Sequence, residues 1–287
     1  DAITTGDNNT ALGYNTMTAN TTASSNTAVG GEAMLTNTTG ASNVAVGYAA
    51  LYTNNGAENV AIGKDAMRLN TTAGQNVAVG FEAMEANTTG VRNLAIGYQA
   101  YTASDTENDN LAIGYQAMLA NTAGGSENIA IGSYALNDLT SGDYNTVVGH
   151  YAGDVLTSGG SNTMIGQQAG SGQTTASNNT FVGAFSGEAT TDGNSNVAVG
   201  KGALKANTTG SYNVAIGYDA SLVSTDATQN VVIGYDAGKT ITSGGSNVIN
   251  GFEAALLGTT LSANVVIGHR AARAITTADS NTIVGYN

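Results

Sequence analysis

The chain has 287 residues with no proline, cysteine or tryptophan, and its 39 glycines follow no Gly-X-Y period, which excludes collagen, a disulfide scaffold and a thiolate metal site. Its 8 basic and 21 acidic residues give a formal net charge of -13, which opposes binding to nucleic acid or to an anionic membrane. No apolar run approaches the length of a membrane span, so direct membrane insertion is not expected.

A short motif, seen as N-V-A-V-G-F-E-A at residues 76–83, recurs along the whole chain, and its glycine marks 17 copies. All but two of the 16 spacings between these glycines are 17 residues; Gly47 to Gly63 is one residue shorter and Gly114 to Gly132 one longer. So regular a period predicts a stacked repeat protein. We therefore expect an all-β parallel β-solenoid (β-roll) of about 17 coils, in which residues 1–287 form a single repeat domain of a longer fibrous protein.

Positions in the repeat are counted from this glycine, which is position 0. Position -4 is Asn in all 17 copies, so stacked coils are expected to form a hydrogen-bonded Asn ladder. Positions -3 and -1 are mostly Val, Ile or Leu, and position -2 is Ala or a larger apolar residue. Because side chains alternate in a strand, positions -3 and -1 share one face and position -2 takes the other. The glycine predicts a positive φ or a corner too tight for a Cβ.

Positions -2 and +4 vary together along the chain. In the first eight copies position -2 is Ala and position +4 is large, as in Ala78 and Met84; in most later copies the sizes are exchanged, as in Phe181 and Gly187. A close-packed interior conserves local volume, so the two columns are predicted to touch inside the coil. Positions -3 and -1 then point outward as an apolar stripe, which predicts an interface. In the alternative arrangement the faces are reversed and the valines form the core.

The polar half of the repeat, from +5 to +12, is rich in turn residues, and Thr at +8 in 14 of 16 copies offers a second ladder. Five N-T-T sequons lie in this half and are candidate N-glycosylation sites, although an Asn-Thr turn explains them equally. Their asparagines are Asn20, Asn37, Asn70, Asn87 and Asn207.

Position +1 is mostly aromatic, and aromatic faces stack on the apolar faces of sugars. Seven of these residues form a candidate glycan-contact ladder: Tyr48, Phe81, Tyr98, Tyr115, Tyr218, Tyr235 and Phe252. Such a ladder also stabilises itself, which is the alternative explanation.

The repeated N-x-A-V-G-x-x-A pattern, as in N-L-A-I-G-Y-Q-A at residues 93–100, resembles the β-roll head repeats of trimeric autotransporter adhesins. It is also similar to the N-T-T-G-spaced repeats of phage and bacterial tail-fibre-type proteins. The resemblance covers the whole chain. It implies a left-handed parallel β-roll that assembles as a homotrimer and acts in surface attachment.

Residues that could carry chemistry are few. The two histidines, His150 and His269, both occupy position +1 and are read as members of that column. Asp219 and Asp236 stack at position +2 in adjacent coils and are read as a solvated charge column. We therefore predict no catalytic, cofactor or metal site, no cofactor and no enzymatic activity.

These patterns favour a non-enzymatic extracellular structural fibre or adhesin shaft, on a cell surface or a virion, that mediates surface attachment by spanning distance. Its expected partners are other copies of itself, most simply in a trimer, and surface glycans or a host surface. One alternative is a repeat surface that binds glycan through the aromatic ladder or ice through the Thr column. A less favoured alternative is a phage depolymerase, for which Glu107 and Asp109 are the nearest acidic pair.

Overall fold

A computed structural model describes residues 5–120 and 124–287. The chain divides into two compact units, residues 1–143 and 144–287, and each unit is a parallel β-solenoid. Each repeat contributes one three-residue strand at positions -3 to -1. The predicted all-β parallel solenoid is confirmed, with about 16 turns of roughly 17 residues, since 17 such strands bound 16 intervals. The described residues contain no helix, and hence no helical segment with the length and hydropathy of a membrane span.

The strands of the first unit are β1 (Thr10–Leu12), β2 (Thr27–Val29), β3 (Val44–Val46), β4 (Val60–Ile62), β5 (Val77–Val79), β6 (Leu94–Ile96), β7 (Leu111–Ile113) and β8 (Ile129–Ile131). Those of the second unit are β9 (Thr146–Val148), β10 (Thr163–Ile165), β11 (Thr180–Val182), β12 (Val197–Val199), β13 (Val214–Ile216), β14 (Val231–Ile233), β15 (Val248–Asn250), β16 (Thr260–Ser262), β17 (Val265–Ile267), β18 (Thr277–Asp279) and β19 (Thr282–Val284). Strands β16 and β18 form a separate two-stranded sheet on the polar half of the repeat.

Consecutive coils pair in strict register, so that each column of the repeat becomes a row along the unit. Ala78 in β5 lies opposite Ala61 in β4 and Ala95 in β6. The pairing continues into the turn that follows each strand, where the Glu82 N–H donates to the Lys64 carbonyl at 3.0 Å and the Met84 N–H donates to the Ala100 carbonyl at 3.0 Å. The turn alternates in conformation, because positions +2 and +4 are left-handed in coil after coil.

The repeat glycine is required by the distance between coils. Gly80 has a φ of 144°, and a Cβ built on it would overlap the carbonyl oxygen of Gly97, the glycine of the next coil. The same overlap recurs along the column, for example between Gly217 and Gly234. Both predicted reasons for the glycine, positive φ and lack of room for a Cβ, are confirmed.

The interior is formed by the two columns that vary together. Ala78 and Met84 are both fully buried, and so is Phe181 in a later coil. A Cβ added at Gly187 would overlap the Phe181 ring, so the large residue at -2 fills the space that a large residue at +4 fills elsewhere. The predicted shared interior is confirmed, and the reversed arrangement is wrong because the Val/Ile row at position -1 is the more exposed face, with Ile62 40% exposed.

The Asn ladder is confirmed, and its bonds run mainly from side chain to backbone. Asn76 is fully buried; its Oδ1 accepts the N–H of Asn93 in the next coil at 2.8 Å, and its Nδ2 donates to the carbonyl of Gly90 at 2.8 Å. This geometry satisfies backbone groups that the polar half of the coil would otherwise bury unpaired. Each net bond contributes about 0.5–1.5 kcal/mol.

Candidate functional site

The aromatic residues at position +1 stack into one run in each unit. In the first unit Phe81, Tyr98 and Tyr115 lie with ring centroids 5.1 and 5.2 Å apart and planes within 8° of parallel. In the second unit the run has five rings with centroids 4.8 to 5.3 Å apart, all within 10° of parallel. These rings are Tyr218, Tyr235, Phe252, His269 and Tyr286.

Stacking limits what these rings can offer a ligand. Both faces of an inner ring such as Tyr98 or Tyr235 are covered by neighbouring rings. Tyr98 is 44% exposed and Tyr235 is 46% exposed, and the part of each ring left open is its edge. A sugar that stacks on an aromatic side chain needs a free ring face. The predicted glycan ladder therefore presents edges along most of its length. Tyr48 belongs to neither run, and its hydroxyl donates to Glu32 Oε2 at 2.9 Å, which raises the pKa of this tyrosine.

A lysine lies over the first ring of each run. The Lys64 ammonium is 5.0 Å from the Phe81 ring centroid, and the Lys201 ammonium is 5.7 Å from that of Tyr218. The two lysines differ in their other contacts, because Lys64 also pairs with Asp65 at 2.9 Å. Within the part of the chain that the structure describes, Lys201 makes no ion pair, whereas each of the other seven basic residues makes at least one.

A groove of 1050 Å³ runs along the second unit beside its aromatic run. It is lined by side chains at positions +1, +2, +5 and +6 of successive coils, among them Tyr151, Asp154, Phe185, Lys201 and Tyr218. The size is at the upper end of the range for small-molecule sites. Of the seven predicted glycan-contact residues, Tyr218 lines this groove, and Tyr48 lines a smaller hollow of 490 Å³ in the first unit.

The groove runs past small side chains in two outer columns. Position +2 is Gly202, the one glycine of that column, and the groove wall at position +6 includes Ala189 and Ala206, where two other coils carry Leu69 and Leu257 and several carry alanine. Sequence reasoning missed it. The signal was a gap in the position +1 aromatics between Ser133 and Lys201, together with rings that move to position +2 at Tyr134, Tyr151 and Phe185.

The acidic residues considered as catalytic candidates are occupied by structural contacts. Lys239 bridges Asp219 and Asp236, with its Nζ 3.2 and 3.1 Å from their carboxylates. Partial burial lowers the pKa of this lysine, but the hydrogen bonds to Asp236 and Asp219 outweigh burial and raise it. The described residues contain no group of three or more His, Cys, Asp or Glu side chains placed to hold a metal ion.

Glu107 and Asp109 are likewise used within the loop. Glu107 is 3% exposed, and its carboxylate accepts the N–H groups of Asp105 at 2.8 Å and Gly124 at 3.1 Å. Asp109 forms a two-bond pair with Arg92, whose guanidinium holds the pKa of this carboxyl below its usual range. The contacts of the two carboxylates are therefore structural. His150 packs its ring edge-on against Tyr151 at 4.2 Å, and His269 is one ring of the stacked run.

The five sequon asparagines point into the coil and are fully buried: Asn20, Asn37, Asn70, Asn87 and Asn207. Their side chains hold the turn together, as where Asn207 Nδ2 donates to the Gly210 carbonyl at 3.0 Å. A glycan on any of them would fit only if the turn opened.

The Thr column at position +8 forms the second ladder that the sequence suggested. Thr208 Oγ1 donates to the Thr225 carbonyl at 2.9 Å, and Thr225 Oγ1 donates to the Thr242 carbonyl at 3.1 Å. The hydroxyl hydrogens are thus directed along the coil axis rather than outward toward a flat ligand.

No protein-family model, curated protein or solved structure matches this chain.

Proposed function

We propose that this chain is a segment of a non-enzymatic extracellular shaft, on a cell surface or in a virion fibre, whose work is to span distance between an anchor and a contact point. The observation that carries the proposal is the continuity of the turn-to-turn contacts within each unit. Strands, Asn side chains, Thr hydroxyls and aromatic rings each repeat from coil to coil. A structure of this kind lengthens by adding equivalent coils.

Self-association through the outer Val/Ile row is part of the same proposal. Residues at position -1 are half-exposed in both units, as in Val46 at 37%, Ile96 at 38% and Ile216 at 38%. An exposed apolar row of this kind supports a protein–protein interface. We place the row at a threefold axis, with Ile113, Ile131 and Ile216 nearest to it, as the resemblance to trimeric adhesin repeats suggests.

Sedimentation of the purified chain at micromolar concentration tests this association. We expect a trimer, and we expect Ile96→Asp together with Ile216→Asp to shift it to monomer, because a buried carboxylate at a threefold axis would meet two copies of itself. Tyr212→Asp, at an exposed apolar side chain in the polar half of the repeat, is the matched control and should leave the trimer unchanged. A folded wild-type monomer would show that the outer row is not a homotypic interface.

A further inference from the structure

We propose that the groove in the second unit is a binding site for a short oligosaccharide that carries one acidic sugar, with the sugar carboxylate on Lys201. This site goes beyond the shaft function and does not depend on it, because one unit of one chain contains every residue involved. It also differs from the predicted aromatic ladder, since Tyr218 is the one predicted residue that lines it.

Lys201 brings to the groove a positive charge that is unpaired among the described residues. Its ammonium faces the groove over the edge of the aromatic run, and no carboxylate among the described residues neutralises it. The neighbouring Lys205 is paired with Glu188 at 3.2 Å. Of the two lysines that line the groove, Lys205 therefore has a carboxylate partner and Lys201 has none among the described residues. In a chain with a net charge of -13, a cation left without an acidic partner is unusual. A ligand carboxylate would form a charge-assisted hydrogen bond there.

The other charged side chains of the groove disfavour a polyanion. Asp154, Glu188 and Asp219 also line it; Glu188 is paired with Lys205 and Asp219 with Lys239, so a ligand with a negative charge on every unit would find a partner at Lys201 for only one of its charges. A ligand with a single carboxylate and otherwise neutral hydroxyl groups meets both conditions, because hydroxyls donate to carboxylates. Sugars have this chemistry.

The aromatic residues of the groove are spaced more widely than those of the ladder. Tyr151, Phe185 and Tyr218 line the groove about two coils apart, whereas the rings of the ladder follow one another coil by coil. They are therefore separated by about twice the spacing of adjacent strands, roughly 10 Å. The space between them contains small or flexible residues such as Gly202, rather than another ring. Tyr218 is stacked on Tyr235 and lies under Lys201, and Lys205 lies over the Phe185 ring, so these side chains contribute apolar edges rather than open ring faces. Apolar side chains with a few polar groups among them are typical of a site for a small ligand.

Titration calorimetry with sialyllactose, which has one carboxylate, and with lactose, which has none, tests the proposal on the intact chain. We expect sialyllactose to bind at least tenfold more tightly than lactose and to weaken as salt is raised, because the contact with Lys201 is screened. Equal affinity for the two sugars, or no heat from either at millimolar concentration, would overturn the proposal. Tighter binding of a short acidic peptide would overturn the carbohydrate assignment.

Variants separate the groove from the aromatic run. Lys201→Gln should lower sialyllactose affinity at least tenfold, whereas Lys64→Gln, which removes the equivalent lysine from the other run, should leave it unchanged. Ala206→Leu fills the groove with a residue that the same column carries at Leu69 and Leu257, and it should also abolish binding while melting as the wild type does. Unchanged binding in both groove variants would place the ligand elsewhere. Trimer formation should be the same in all variants, so failure here does not bear on the shaft.

Discussion

The side chains at positions -2 and +4 share one volume, and this residue-scale pairing explains why the repeat tolerates very different side chains inside a narrow coil. Met84 fills the space in one coil and Phe181 in another, each beside a partner reduced to Ala or Gly. Interiors packed to this density respond to changes of a single methylene. The pairing is therefore open to a direct exchange experiment.

Ala78→Phe should destabilise the first unit by about 1–3 kcal/mol, because the new ring would overlap Met84. The double variant Ala78→Phe with Met84→Gly should recover most of the loss, since it reproduces the Phe181 and Gly187 pair. Thermal melting of the wild type, both single variants and the double variant completes the cycle. Strictly additive effects would show that the two positions do not share a space.

The glycine column makes a second residue-scale prediction, in which the last glycine of the column is the control for an inner one. Gly80→Ala should unfold the coil or lower the melting temperature sharply, because its Cβ would overlap the Gly97 carbonyl. Gly285→Ala, at the last position of the same column, meets no atom within 4 Å and should melt as the wild type does. Equal effects of the two substitutions would show that the distance between coils is not what requires glycine.

Among the elements, the Asn ladder supplies hydrogen bonds to buried backbone groups in the polar half of the coil. Asn76→Ala removes both the acceptor for the Asn93 N–H and the donor to the Gly90 carbonyl, and it leaves both backbone groups buried. Each unsatisfied group costs about 1–3 kcal/mol. We expect chemical denaturation to show a loss in the free energy of unfolding equal to the sum of these two costs. Gln75→Ala, the exposed neighbour, should change stability by less than about 0.5 kcal/mol. A similar small loss at Asn76 would mean that water replaces the ladder.

Ion pairs between coils add a pH dependence to the end of the second unit. The Arg273 and Arg270 guanidiniums lower the pKa of Glu253, with Arg273 contributing most. A carboxyl with a lowered folded pKa stabilises the fold above its unfolded pKa and loses that contribution as pH falls. The protection factors of the amide hydrogens around Glu253, obtained from exchange rates corrected for their intrinsic pH dependence, should therefore fall below about pH 4.3, the ordinary glutamate pKa. Glu253→Gln should exchange faster than wild type at neutral pH and show no such transition; a transition that persists in the variant would assign it to another group.

Features that recur in every coil could be predicted from the sequence, and features confined to a few coils could not. The strand, the glycine corner, the interior pairing and the Asn ladder appear in every coil, so comparison of copies within one chain could identify the face of each column. The groove depends on particular coils, where Gly202 replaces the larger residues of its column and aromatic rings stand at position +2. Its volume follows from neighbours in several coils at once, and column averages hide it. The burial of the sequon asparagines was missed because a polar side chain in a polar stretch gives no sign that it points inward.

At the scale of the whole chain, deletion of one period tests whether coils are interchangeable. Removal of residues 196–212 joins equivalent columns within the second unit and should leave a folded protein shorter by one strand spacing, about 4.8 Å. Removal of only residues 196–204 places loop against strand and should abolish the cooperative melting transition. Small-angle scattering and melting measure both outcomes. A one-period deletion that unfolds the chain would contradict a coil-by-coil architecture.

The interior pairing also bears on how such a chain finds its alignment while it folds. A coil that docks one period too far meets the same glycine, Asn and strand partners, and the excluded period becomes a loop whose closure costs little more than that of a shorter one. Interior size is what distinguishes the correct neighbour. A Cβ at Gly170 would lie 3.1 Å from the Phe181 ring of the next coil, so Phe181 fits above a coil with glycine at +4 and collides above one with methionine. The copies that depart most from the consensus are thus the ones that make pairing with a wrong coil unfavourable. A chain made only of consensus copies would pair equally well with a wrong coil and would lose this selectivity.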